Sequence, residues 1–278
     1  MAEYIEAIIL GIVQGIAEFL PVSSSGHLAI AQHFMTTAEE PLLMSILLHF
    51  ATLVAVVICF RKDVFGIIKE FFLCIGDICK GKFSWKEASQ YRRMLILIII
   101  ATIPLFIVLP FKDTVEGLSS NIFIVGLCLI VTGVLLIVSD KLASRAARGG
   151  DKATVKDAVF IGCAQAIATL PGISRSGSTI STSLILGLER DYAVAFSFIM
   201  SLPAVFGATL LQVLDAVETN AEFKLSYLIG MIVAFVVGIA SIKLVKWLVK
   251  SDRFGKFAYY CFAVAAFAMG VGIYEFVK

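Results

Sequence analysis

The sequence predicts an all-α polytopic membrane protein, an inverted-topology repeat with six full transmembrane helices and two re-entrant helical hairpins. Three observations carry that expectation. Of 278 residues, 59% are apolar and only 16% are Asp, Glu, Lys or Arg, against about 45–50% and about 25% in soluble domains. Lipid must therefore cover surface that a soluble chain would give to water. Basic residues are gathered into a few short segments between apolar runs. Two polar, Ser-rich turns break otherwise apolar sequence, and they are copies of each other.

The elements follow in order. Residues 1–36 run apolar to Pro21, break into Ser23-Ser24-Ser25-Gly26-His27, and resume as a short amphiphilic helix. No cationic stretch precedes this region, so a cleaved signal peptide is not expected. Spans of the length needed to cross a hydrocarbon core follow at 43–60, 94–111 and 121–138, and later at 192–211, 226–245 and 257–277. Between them, residues 154–189 repeat the first pattern: an apolar helix, a break at Pro171-Gly172, a Ser-Arg-Ser-Gly turn and a second short helix. Of 23 basic residues, eight lie between Arg61 and Arg93, five between Lys141 and Lys156, and five between Lys243 and Lys256. The positive-inside rule makes those three segments cytoplasmic loops. Each broken region must then return to the side it came from, as a hairpin dipping part-way into the bilayer does. Its polar turn has to be enclosed by protein or water, because unpaired backbone and an Arg against lipid tails are costly.

At a constant offset of 151, Gly11, Gln14, Ile16, Ala17, Ser23, Ser25 and Gly26 fall on Gly162, Gln165, Ile167, Ala168, Ser174, Ser176 and Gly177. Three spans separate the copies, an odd number, so the second copy enters from the opposite face. The chain reads as a single integral membrane domain over 1–278. Repeat one covers about 1–138 with its hairpin at 1–36, and repeat two about 154–278 with its hairpin at 154–189. In such repeats the broken helices of both halves meet near the midplane and form the site.

The residues at the breaks carry chemistry. Gln14 and Glu18 are four apart and share a helix face, and a carboxylate inside an apolar helix needs a partner or a function. Ser23, Ser24 and Ser25 precede a helix beginning near Gly26 and His27, so free backbone N–H groups and a helix N-terminus favour an anion there. Any of the hydroxyls becomes a nucleophile if a base is adjacent, and His27 is close enough in sequence to be one. His33 and His49 read as structural. Arg175 sits in the second turn with Ser174, Ser176 and Gly177, and its fork matches phosphate oxygens. The two glycines allow tight turns and close approach of backbone to a ligand. Four of six cysteines lie in apolar runs as small hydrophobes, while Cys74 and Cys79 fall in the first cytoplasmic loop. The net charge of +2 and the lack of a basic stripe give no reason to expect nucleic acid.

At Gln14-Gly-Ile-Ala-Glu18-Phe-Leu-Pro-Val-Ser-Ser24-Ser-Gly-His27 and Pro171-Gly-Ile-Ser174-Arg175-Ser-Gly177 the chain closely resembles the bacterial undecaprenyl-diphosphatase family, also called bacitracin-resistance proteins. The resemblance spans the whole chain. It implies removal of the terminal phosphate from undecaprenyl diphosphate, recycling the lipid carrier of peptidoglycan synthesis. It also implies a divalent cation (Mg2+ or Ca2+) at Gln14 and Glu18, and a site open to the periplasmic side of the bacterial inner membrane. Glu18, Ser24, His27 and Arg175 become the expected catalytic residues, and Ser23, Ser25, Gly26, Ser174, Ser176 and Gly177 the expected diphosphate-binding set. Many family members have Glu where this chain has Gln14, which can ligate through its carbonyl but cannot act as a base. The expected partners are a polyprenyl diphosphate and the bilayer, with a homodimer left open. The alternative from the same features is a transporter or flippase of a polyprenyl phosphate or another anion, in which no bond breaks.

Overall fold

The computed structural model describes residues 2–34, 42–82, 84–85, 88–143, 147–218 and 223–278, and is all-helical apart from a single bridge between Arg148 and Leu188. The helices, in order, are α1 (Ala2–Ala17), α2 (Ser24–Phe34), α3 (Leu42–Cys59), α4 (Arg61–Cys79), α5 (Gln90–Val108), α6 (Lys112–Gly117), α7 (Ile122–Leu142), α8 (Val155–Ile167), α9 (Arg175–Ile185), α10 (Arg190–Glu218), α11 (Leu225–Lys250) and α12 (Phe257–Val277). This is an all-α polytopic membrane protein. Among the described residues, four helices are long and apolar enough to cross a bilayer: α5, α7, α11 and α12 with their short 3₁₀ extensions. A fifth candidate is the pair α3–α4, bent by 90° at Phe60.

That bend corrects one expectation. The segment after Arg61, read as a loop holding Cys74 and Cys79, is a 19-residue helix on which Cys74 is buried and Cys79 exposed. Its basic residues masked its periodicity. Glu70 and Asp77, seven apart on α4, both reach Arg92 on α5: Nε donates to the Glu70 carboxylate at 2.8 Å and Nη1 lies 2.7 Å from Asp77. Ser89 caps α5 by accepting from the Arg92 N–H while its hydroxyl donates to Glu70.

The helices that carry the two turns are seated by glycine notches. α1 lies along α11 and α8 along α5, while α3 packs on α10 and α7 on α12. A Cβ on Gly11 would stand 2.5 Å from the Gly230 carbonyl oxygen, and one on Gly162 would stand 2.4 Å from that of Ala101. Neither backbone can yield, so these two repeat-related glycines are what let each arm reach its neighbour. The start of α8 is fixed by a capping box between Thr154 and Asp157, and Arg148 grips the Asp157 carboxylate with two bonds of 3.1 and 2.9 Å. Below these contacts runs a continuous core that includes Phe19, Ile180, Leu184 and Phe196. Phe19 meets the Phe198 ring edge-on at 5.5 Å, locking the first turn to α10.

Candidate active site

Pro21 and Gly172 fall at equivalent places and end α1 and α8, because proline cannot continue a helix and Gly172 has φ of +98°. Each chain then turns and starts a new helix on a serine. Ser23 accepts from the Gly26 N–H at 3.2 Å and Ser174 from the Gly177 N–H at 3.1 Å. Ser23 and Ser25 hydroxyls are 3.3 Å apart, as are those of Ser174 and Ser176. The two turns therefore share one hydrogen-bond plan, with one divergence: Ser23 is held at φ of +66°, a left-handed conformation that costs a serine about 1–3 kcal/mol.

The turns also touch. A Cβ on Gly26 would be 2.8 Å from Gly172 Cα, and one on Gly177 would be 3.2 Å from Pro21 Cβ. The Ser176 hydroxyl donates to the Leu20 carbonyl at 3.2 Å. Thr132 on α7 donates to the Gly172 carbonyl at 3.0 Å, and Cys261 on α12 makes the matching contact of 3.5 Å to the Pro21 carbonyl. Paired helices thus hold equivalent carbonyls in equivalent ways.

Between the turns lies a cavity of about 300 Å³ lined by Glu18, Ser23, Ser24 and Ser25 from one hairpin and by Ser174, Arg175 and Ser176 from the other. Its remaining wall includes His49, Gln165, Thr169 and Thr209. Glu18 and Arg175 form an ion pair across the hairpins through Oε1 and Nη2. Gln14 donates to the other carboxylate oxygen at 3.2 Å. The Glu18 side chain is 8% exposed and that of Arg175 26%, so the carboxylate is the inner member and the guanidinium is the part open to a ligand.

The predicted residues do not all face this space. Gly26 and Gly177 are spent on the contact between the turns. Gln14 stands behind Glu18, outside the cavity lining. His27 also lies outside it: its ring stacks on Tyr260 at 5.5 Å, Nε2 is 2.7 Å from the Tyr260 hydroxyl, and Nδ1 is 2.9 Å from the Ser23 carbonyl. The imidazole that does line the cavity is His49, whose Nδ1 is 2.9 Å from the Ser45 carbonyl. Among the described residues no group of three or more His, Cys, Asp or Glu gathers as a metal site. The donors around Glu18 are a single carboxylate, an amide and hydroxyls. That set suits a hard cation bound chiefly through the oxygens of its own substrate, as Mg2+ commonly is, and not a preformed cage.

The cavity thus offers a guanidinium, hydroxyls and a helix N-terminus to an anion, with one carboxylate beside them. The family model described as bacitracin resistance protein BacA matches residues 7–267 of this chain. The chain belongs to that family. Curated BacA-family relatives are named undecaprenyl-diphosphatase. One from Alkaliphilus metalliredigens is 42% identical over 270 residues, covering 94% of this chain and 96% of the relative. One from Syntrophotalea carbinolica is 45% identical over 261 residues (93% and 95%), and one from Methanobrevibacter smithii is 40% identical over 266 residues (94% and 95%). The BacA match includes both turns and every cavity residue named above.

Among the polar residues of this BacA-family cavity, sequence reasoning passed over Gln165, Thr169 and Thr209 and read His49 as structural. Gln165 had a visible signal, its identity with Gln14 across the repeat, whereas nothing near His49 in sequence marks it.

Proposed function

We propose that this chain is an undecaprenyl-diphosphatase of the bacterial inner membrane, hydrolysing the lipid diphosphate to undecaprenyl phosphate and inorganic phosphate. The observation that carries this reading is the single cavity in which Arg175 and Glu18, from different hairpins, stand with both serine turns. The names and near-complete coverage of the relatives support the substrate. The absence of Lys and Arg before Arg61 supports a cavity opening on the outer, periplasmic side.

In the proposed mechanism the incoming diphosphate competes with Glu18 for the Arg175 fork, and Ser23, Ser25, Ser174 and Ser176 with the turn N–H groups hold its oxygens. Ser24 attacks the terminal phosphorus. An Oγ–P bond forms, the bridging P–O bond breaks, and undecaprenyl phosphate leaves. The serine proton passes to His27 once its Nε2 is released from Tyr260. Water then attacks the phosphoserine and frees inorganic phosphate, with His27 as acid–base partner. Glu18, with the Gln14 carbonyl, would hold a divalent cation together with the substrate's oxygens. When bound, that ion would neutralise charge developing on them.

The pairing of α1 with α11 and α8 with α5, with α3 on α10 and α7 on α12 crossing between halves, supports the inverted repeat. Together with α10, 29 residues long, the described helices supply enough length for six spans with the two broken arms as hairpins.

The test is phosphate release from undecaprenyl diphosphate by the detergent-solubilised protein. Ser24→Ala should lower the rate by about a thousandfold or more, as loss of a covalent nucleophile does, and a wild-type sample quenched in mid-turnover should carry a phosphoserine. Near-wild-type hydrolysis by Ser24→Ala rules out the serine step. No hydrolysis by the wild type, with transport of the lipid phosphate in vesicles, would replace the enzyme with a carrier.

A further inference from the structure

Among the described residues, Gln165 is the cavity-lining residue whose fully buried polar atoms have no partner. It is 2% exposed, and neither its Nε2 nor its Oε1 has a hydrogen-bond partner. Its repeat partner explains the difference. On α1, Gln14 finds Glu18 one turn later and donates to it at 3.2 Å. In the second arm the position one turn after Gln165, just past the end of α8, is Thr169, whose hydroxyl is turned back onto the Ala166 carbonyl at 2.7 Å. The same amide at the same place in the repeat is therefore tied to a carboxylate in one arm and left free in the other.

A buried carboxamide without partners is costly, because each unmade bond forfeits the hydration it had in the unfolded chain. Apolar residues of similar volume would fill the site without that penalty. The cavity that Gln165 shares with Arg175 needs donors for an anion, and an amide N–H₂ donates to phosphate oxygens without adding charge to a buried place.

We propose that Gln165 binds the diphosphate of the substrate, donating through Nε2 to a phosphate oxygen beside Arg175 while Oε1 accepts from a hydroxyl or water of the hydrated anion. This rests on the assignment of the cavity as the diphosphate site and extends it to a residue on the second hairpin. It gives the second copy its own binding amide, where the first copy uses its amide to steady Glu18.

The test uses detergent-solubilised full-length protein and inorganic diphosphate as probe, read by calorimetric affinity, by competitive inhibition of phosphate release, and by melting temperature without ligand. Gln165→Met keeps the volume and removes both polar atoms. It should leave the melting temperature unchanged or raised, because an unpaired buried group has gone. Diphosphate affinity should fall about tenfold to a hundredfold, the worth of a hydrogen bond to a charged acceptor, and KM should rise more than kcat falls. Gln165→Glu, nearly isosteric, should weaken diphosphate further by like charge, and it gives a second reading if the Met variant folds poorly. A merely structural amide would show the reverse: altered melting with diphosphate affinity within twofold of wild type in both variants, which overturns the proposal. Arg175→Lys, run alongside, separates the two levels of argument. If it loses diphosphate while the Gln165 variants keep it, only the Gln165 assignment fails; if all bind as wild type, the cavity is not the diphosphate site.

Discussion

Glu18 and Arg175 would each be expensive alone at membrane depth, by about 2.5–3.5 kcal/mol at the centre of a span; together they form an ion pair, which in the proposed function the diphosphate opens. Arg175→Lys keeps the charge but loses the planar two-point grip. Phosphate release should fall about a hundredfold or more, the usual cost of one oriented donor to a developing oxyanion. Unchanged turnover would take Arg175 out of the site. Glu18→Gln strands the guanidinium, and breaking one side of a buried pair costs about 3–5 kcal/mol. That variant should melt several degrees lower as well as lose activity, and a melting curve that overlays wild type would show the pair to be unimportant for folding. These two residues, and Ser24, were legible in the sequence because charge and hydroxyls beside Pro21 and Pro171 have no bland use inside an apolar run. His49 was not, and Gln165 showed only its identity with Gln14 across the repeat. A lone neutral polar side chain in a helix reads as core, and only the neighbours that other helices bring to it say otherwise. For His27, nearness in sequence to Ser24 said nothing about Tyr260, 233 residues away, where its ring rests.

At the level of helices, the sequence marked where each broken arm ends but not how it is seated. Gly11 and Gly162 stood among the repeat identities without a reason; the reason is backbone-to-backbone packing on α11 and α5, a fact about partner helices. Gly162→Val should therefore push α8 off α5 and destabilise by at least about 1–3 kcal/mol, the usual cost of overpacking. Gly76→Ala on α4, where nothing lies within 4 Å of the new Cβ, should be neutral or stabilise by about 0.5–1 kcal/mol. Equal melting temperatures for the two variants would refute the notch. α4 itself was hidden because clustered basic residues read as a loop. Its hold on α5 should depend on pH. Burial pushes the Glu70 carboxyl upward, but the hydrogen bonds from Ser89 and Arg92 outweigh it and leave the group below its ordinary value of 4.5. A depressed carboxyl stabilises the fold above that ordinary value and stops doing so as pH falls through the lowered one. Amide exchange along α4 should be slow at pH 7 and quicken below about pH 4.5 relative to α7, after correction for intrinsic rates. A constant ratio between the two helices would contradict this.

Across the whole molecule, two copies of one hairpin have kept their turn geometry and divided the chemistry between them. Ser24 of the first falls on Arg175 of the second, and Glu18 of the first on Thr169 of the second. A duplicated pair of turns with identical residues would put the same charge on both sides of the cavity. The divergence instead sets a carboxylate against a guanidinium, and only a fold that brings equivalent turns face to face could exploit it. The sequence displayed the matching residues of the two turns; it could not display that both turns open into one space. If they do, a single aqueous entrance serves both hairpins, even with the opposite insertion that the proposed inverted repeat gives them. Ser25 and Thr169 are exposed residues on that cavity, one from each hairpin. In a background where the exposed Cys79 and Cys163 are serine, Ser25→Cys and Thr169→Cys should both react with a membrane-impermeant maleimide added to the outer face of sealed vesicles. Neither should react from the inner face, and inorganic diphosphate should slow both alike. Labelling of the two positions from opposite faces would mean two separate half-sites, and the shared cavity on which the proposed hydrolysis depends would be lost.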